Sequence, residues 1–245
     1  MLRKSTLAFA CTAATFVGLA SAPAQAATFS LGDLIKNNST ITIGDKAFSD
    51  FSCTLSRGGA GITTPFNCDQ INVTTTTVGG NYALEFQSGF FSTGGTFLDA
   101  LLGYTVKVLD PTMWINNIGL SFNGVTTGDG FTNVAETVAN SGGTTIGAAT
   151  VTAPTPLSTL ISLNEPVKEA KVKKDIFLTG GSSGTASISV IDQWFVQKKV
   201  EVPEPGTVSG ALAIGAFGVG MMLKKRRSQS DALAFLPVNN DAENN

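Results

Sequence analysis

The chain has 245 residues, with 16 Lys and Arg against 18 Asp and Glu, a formal net charge of −2, and no histidine. That composition removes Ser-His-Asp and Cys-His catalysis together with the commonest metal ligand, and the acidic balance excludes nucleic acid as a partner. With three cysteines, Cys11, Cys53 and Cys68, and no metal-spaced acids, no metal and no cofactor are predicted.

The N-terminus sets Arg3 and Lys4 before an apolar run from Leu7 to Ala20, which ends in Ala24-Gln25-Ala26. These are the three zones of a secretory signal peptide, so residues 1–26 are predicted to leave after cleavage at Ala26. Cys11 leaves with them. The two remaining cysteines then fold beyond the inner membrane, in an oxidising compartment, where a Cys53–Cys68 bridge closing a loop of about 15 residues stabilises by ~3 kcal/mol. Two separate buried thiols are the alternative.

Residues 27–202 form the predicted exported domain, 176 residues carrying 10 Lys and Arg against 14 Asp and Glu. That length suffices for one sizeable core. Ser30 is placed to cap a short helix from Leu31 to Asn37, with Leu31, Leu34 and Ile35 on one face. Strand-type segments follow at Thr40–Ile43, Lys46–Cys53, Ile71–Thr77, Tyr82–Gln87, Leu102–Leu109 and Ile115–Phe122. More occur at Phe131–Val138, Thr144–Val151, Leu157–Leu163, Ala170–Leu178 and Thr185–Gln197. Gly-Asp, Gly-Gly, Asn-Gly and Asp-Gly pairs separate many of them, as turns between short strands require. Tyr104, Val106 and Val108 make one apolar face at period two, and a parity shift at Val190 and Ile191 predicts a bulge or a strand buried on both faces. The expected fold is all-β, a β-sandwich or jelly-roll.

Chemistry is harder to find in this segment. Asp45, Asp50, Asp69, Glu85, Asp99, Asp129, Glu136 and Asp192 are available as carboxylate pairs for glycoside hydrolysis, but their spacing selects none, and each reads as a turn or solvated residue. The stretch Asn123–Gly130 offers Asn123 and Asp129 to calcium, too few side-chain ligands for a site. Gly58, Gly59 and Gly61 read as a surface loop beside Cys53. Lys168, Lys171, Lys173 and Lys174 are the densest cations of the domain. They read as a lysine-protected edge strand, and the sharper reading is contact with acidic exopolysaccharide. Trp194 and Phe195 are expected in the core.

After the domain comes Val202 to Arg227, VPEPGTVSGALAIGAFGVGMMLKKRR. Pro203 and Pro205 keep the chain extended around Glu204, and the 18 uncharged residues from Gly206 to Leu223 make a helix of about 27 Å, near the ~30 Å of a bilayer core. The cluster Lys224, Lys225, Arg226, Arg227 holds its end on the cytoplasmic side, which leaves Val202, Pro203, Glu204 and Pro205 outside. A single C-terminal transmembrane helix is therefore expected at residues 206–223. Residues 228–245 follow as a polar, disordered cytoplasmic tail.

The order of extended Pro-Glu-Pro, apolar helix and basic end closely resembles the PEP-CTERM sorting signal of exported bacterial surface proteins. The resemblance is confined to Val202–Arg227, and it implies processing at or near the motif by an exosortase, a membrane cysteine transpeptidase. The expected function is that of a non-enzymatic structural or adhesive protein of the cell surface or exopolysaccharide matrix. A carbohydrate-binding module, which needs an exposed aromatic row, is the first alternative. A carboxylate-dependent glycoside hydrolase is the second.

Overall fold

Period-two alternation sets the inside and outside of nearly every strand. In Glu169–Thr179 the residues Ala170, Val172, Lys174, Ile176 and Leu178 are buried, while Lys171, Lys173 and Asp175 between them are exposed. A computed structural model describes residues 26–59, 65–155 and 157–200 of the chain. It contains twelve strands: β1 Thr28–Ser30, β2 Ile41–Ile43, β3 Lys46–Gly59, β4 Asn72–Val78, β5 Asn81–Thr93 and β6 Thr96–Val108. After these come β7 Met113–Thr127, β8 Phe131–Asn140, β9 Thr145–Thr152, β10 Ser158–Val167, β11 Glu169–Thr179 and β12 Thr185–Lys199. They form two six-stranded sheets, here A with order β1-β4-β5-β12-β7-β10 and B with order β2-β3-β6-β11-β8-β9.

The fold is an all-β sandwich. Its last eight strands form one long antiparallel ribbon, in which β8 pairs with β9, β7 with β10, β6 with β11 and β5 with β12. Successive pairs lie alternately in sheets B and A, which is the winding of a jelly roll. Between the sheets pack Phe48, Phe86, Leu84, Leu102, Tyr104, Ile118, Leu120, Val134, Ile176 and Phe195, all under 5% exposed. The predicted helix is present as α1, Leu31–Lys36. The Ser30 hydroxyl accepts from the Asp33 amide, and Leu31 and Leu34 are buried. Cys53 of β3 is bridged to Cys68, with 2.07 Å between sulfurs and 15 residues of separation, so the paired alternative is the one adopted.

Four differences from the sequence reading have simple causes. The strands run longer than expected, because β5 and β6 continue through Ser88–Thr93 and Thr96–Leu101 to a turn at Gly95, where φ is +74°. A short β1 pairs with β4, a contact set by residues some 45 positions apart and invisible locally. Gly58 and Gly59 lie in β3 instead of a loop, with the Phe97 ring packed over Gly58. Finally, β11 is an interior strand between β6 and β8, so its lysines do not protect an edge.

Lys174 shows why that last point matters. Its side chain enters the core, where its ammonium pairs with the Glu136 carboxylate and lies 6.0 Å from the Phe86 ring centroid. Glu136 also accepts from Gln193 Nε2, and Gln193 Oε1 accepts from the Tyr104 hydroxyl at 2.5 Å. All four residues are buried. Burial pulls the Lys174 ammonium below its ordinary value, opposed by the nearby Glu136 charge, and burial raises the Tyr104 phenol well above its own.

The predicted irregularity in β12 is there: its register against β5 shifts between Ile188 and Val190, where Ser88 and Gly89 of β5 stand opposite Ser189, and its buried parity changes between Ile188 and Ile191. The predicted turn at Asp129 is also there, and it does more than reverse the chain. Its Oδ2 accepts from the Ser182 amide at 2.7 Å and hydroxyl at 2.5 Å, and its Oδ1 from the Ser183 amide at 2.9 Å, tying the β7–β8 turn to the β11–β12 turn. The Ser182 hydroxyl, helped by the two backbone donors, holds this carboxylate far below the ordinary range. Gly181 sits at φ +60° with no room for a Cβ, which would lie 2.5 Å from the Asp129 carbonyl oxygen.

The signal-peptide residue Ala24, the sorting motif Val202 to Pro205, the apolar span and the cluster Lys224 to Arg227 lie outside the described residues. Ala26 is described and exposed, in the segment that leads to β1. Among the described residues no helix is long and apolar enough to cross a membrane.

Candidate functional site

The outward face of sheet A is built from residues that alternate with the core. On β12, Ile191, Gln193 and Phe195 point inward and are buried, so Asp192 and Trp194 point outward. The expectation that both aromatics lie in the core holds for Phe195 and fails for Trp194. The signal was available, because Trp194 has the parity of Asp192 and a carboxylate belongs outside.

Trp194 lies at the centre of the face. A Cβ on Gly119 of β7 would fall 1.8 Å from Cε2 and 2.1 Å from Cζ2 of the indole, so the ring packs directly on the backbone of Gly119. Any side chain there would lift the ring off the sheet. Ala83, opposite Trp194 on β5, is fully buried, whereas Leu160, opposite Gly119 on β10, is 52% exposed. The result is a half-buried aromatic platform with an exposed aliphatic neighbour.

Short polar side chains surround it. Glu85 pairs in register with Asp192, and Thr74 of β4 with Glu85. The Ser121 hydroxyl donates to Asp192 at 3.4 Å, Gln87 donates to Glu85, and Asn117 donates to Ser162 at 3.3 Å. Burial raises the Asp192 carboxyl above its ordinary value, reinforced by the Glu85 charge and by a hydrogen bond between the two carboxyls, and opposed by Ser121.

A second pair of acids, Asp99 and Asp175, lies on the outward face of sheet B, where burial and then the Asp175 charge raise the Asp99 carboxyl above its ordinary value. Of the other acids named from sequence, Glu136 is in the core, Asp129 holds the turns together, and Asp45 accepts from Lys46 at 2.6 Å and from Gln197 at 2.7 Å. Asp69 lies in the single 3-10 turn Cys68–Gln70, and Asp50 is the bulged residue of β3, at φ +54°. Asn123 and Asp129 do not converge, since Asn123 accepts from the Ser189 and Val190 amides while Asp129 faces Ser182.

The lysine cluster is also dispersed. Lys168 donates to the carbonyls of Asp110 and Met113, Lys171 donates to the Ser141 carbonyl, and Lys174 is buried. Lys173 stands with Lys171 over a depression of 360 Å³ beside Asp50 and Ser52. Two lysines facing one acid make a weak field for a polyanion, so acidic exopolysaccharide is not the ligand this surface favours.

A sugar ring has an apolar C–H face and a rim of hydroxyls. The Trp194 platform with Leu160 offers an apolar surface of that kind, and Glu85, Asp192, Gln87, Ser121 and Thr74 offer acceptors and donors at its edge.

No protein-family model matches the chain, and no curated protein matches it. Among solved structures, the enzymatically active domain of tailspike protein 4 of bacteriophage CBA120 overlaps at a TM-score of 0.29 and 15% identity. That overlap covers 59% of this chain and 19% of the tailspike, so the chain spans about a fifth of it. The TmCBM61 structure in complex with β-1,4-galactotriose overlaps at a TM-score of 0.28 and 15% identity, covering 58% of this chain and 88% of that one. The arabinose-bound MgGH51 α-L-arabinofuranosidase overlaps at 0.24 and 12%, covering 50% and 22%. Overlaps at TM-scores this low carry no assignment of function.

Proposed function

We propose that this is an exported, non-enzymatic protein of the cell surface or polysaccharide matrix, whose sandwich holds neutral glycan on the outward face of sheet A. The observation that carries the glycan reading is Trp194, packed on Gly119 in the middle of a sheet face and ringed by Leu160, Asp192, Glu85 and Ser121. An indole left half-exposed on a face of Ser, Thr and Asn residues is a docking anchor in the wrong place for a core. Export and sorting rest on the two terminal signals in the sequence, with an exosortase-type transpeptidase as the processing partner and the C-terminal helix as the membrane anchor before processing.

Native affinity electrophoresis of the secreted protein through gels containing neutral polysaccharides tests the binding. At least one of a β-glucan, a galactan and a mannan is expected to retard it. Trp194→Ala is expected to weaken that retardation about thirtyfold, the equivalent of ~2 kcal/mol for a central aromatic anchor. The unfolding midpoint should stay near that of the wild type. Equal retardation of both proteins in every gel sinks the platform.

The sorting half is checked separately by mass spectrometry of protein released from the cell surface. The expected mature form begins at Ala27 and lacks Lys224–Arg227. Recovery of mostly intact C-termini leaves a plain membrane anchor and no exosortase.

A further inference from the structure

At the end of the sandwich where β7 begins, a depression of 430 Å³ lies among Trp114, Asn140, Glu165, Pro166, Lys168 and Glu169. Its volume is within the ~300–1,000 Å³ usual for small-molecule sites. The depression comes from a break in the sheet. The pairing of β10 with β7 runs regularly from Ser158–Ser121 to Ser162–Asn117 and then jumps to Val167–Ile115, so residues 163–166 stand opposite Asn116 alone. Pro166 has no amide to offer the ladder, and the displaced segment carries Glu165 to Asn140, whose Nδ2 donates to its carboxylate at 3.1 Å. Bulges of this kind re-aim side chains next to binding sites.

Both cations at the depression are already engaged, Lys171 at its rim by donating to the carbonyl of the lining residue Ser141 at 3.1 Å. Lys168 donates to the Asp110 carbonyl at 2.5 Å and the Met113 carbonyl at 2.7 Å, and its ammonium lies 5.6 Å from the centroid of the Trp114 ring. It braces the indole and the Asp110–Met113 turn. What remains for a ligand is the half-buried indole and the carboxylates of Glu165 and Glu169, with Asn140 held between Glu165 and the Thr144 amide, which donates to its Oδ1 at 3.0 Å. The two carboxylates repel an anion and accept from hydroxyls, while the indole covers an apolar ring face.

We infer that this depression is a second binding site, for a single neutral sugar unit. The kind of ligand rests on the glycan reading of the Trp194 face, whereas the site itself does not. Trp114 and Gly119 are five residues apart on β7, about 17 Å at ~3.4 Å per residue, so the two sites are neighbours on one molecule. One glycan bound at both makes its second contact intramolecular.

The chain has two tryptophans, so Trp194→Phe in the full-length protein leaves Trp114 as its one indole. Titration of that variant with the methyl glycosides of glucose, galactose and mannose is expected to give a saturable change in Trp114 fluorescence for at least one of them. Adding Glu165→Gln is expected to weaken that binding more than tenfold, and glucuronate is expected to bind more weakly than its neutral counterpart. No saturable change with any of the three glycosides overturns the site, and so does glucuronate binding as tightly as glucose. Failure of the polysaccharide gels with a positive Trp114 titration rejects the platform and keeps this site. Retardation that depends on Trp194, with a silent Trp114, does the reverse.

Discussion

Glu136→Gln is expected to lower the folding free energy by about 3–5 kcal/mol at neutral pH, because it strips the counter-charge from a lysine with no route to water. Lys174 is 0% exposed and has Glu136 as its ion-pair partner. The loss should depend on pH in a defined direction. Burial already holds the folded Lys174 pKa below the 10.5 of the unfolded chain, and Glu136 is the group that opposes this fall. Between the folded and unfolded values the unfolded chain binds more protons, so stability from this residue rises with pH. Without Glu136 the folded value drops further and the window widens. The deficit of the variant is therefore largest where Lys174 is protonated in both folded proteins, and it narrows as pH rises toward the folded wild-type value, which lies below 10.5. Lys174→Met combined with Glu136→Gln removes both charges and keeps an amide for Gln193, so it should recover most of the loss. Urea unfolding of the three proteins at two pH values measures all of this. A single variant as stable as the wild type would show that Lys174 is not left as an uncompensated buried charge.

Replacing Cys53 and Cys68 together by Ala is expected to cost about 3 kcal/mol, the unfolded-state entropy released when a 15-residue loop is opened. The bridge joins β3 of sheet B to the 3-10 turn Cys68–Gln70 just ahead of β4 of sheet A, so it also staples the second crossing between the sheets. The same loss should follow from reductant in the wild type and be absent on adding reductant to the double variant. A wild-type unfolding midpoint unmoved by reductant would show that the staple is redundant with the packing around it. Because the bond needs an oxidising compartment, the double variant should lose less when the protein is made in the cytoplasm, where the wild-type thiols stay reduced.

The two acid pairs illustrate how far local pattern carries. Glu85 and Asp192 are 107 positions apart, as are no two residues that a spacing motif could link, yet β5 and β12 set them side by side. Asp99 and Asp175 approach diagonally across β6 and β11, where Asp99 is in register with Phe177 and Asp175 with Leu101. Glu85, between Leu84 and Phe86, and Asp99, between Leu98 and Ala100, read from sequence as outward residues because their neighbours are apolar. The partner is a property of strand order alone.

The all-β class, the strand positions, the capped helix, the β12 irregularity and the Asp129 turn were written in local residue patterns, because each depends on contacts within a few positions. The inward face of β11 was written there too. Lys174 shares the parity of Val172 and Ile176, and Glu136 that of Val134 and Val138, although the first reads as an edge lysine and the second as a turn or solvated residue. Sheet order decided everything else. It made β11 interior and turned a presumed edge lysine into a buried ion pair. It also set Trp194 on Gly119 as an outward platform, and β10 slipped past β7 to open the depression at Trp114. Alternation fixes which side of its own strand a residue occupies, whereas the neighbours that cover it or leave it bare belong to strands tens of residues away.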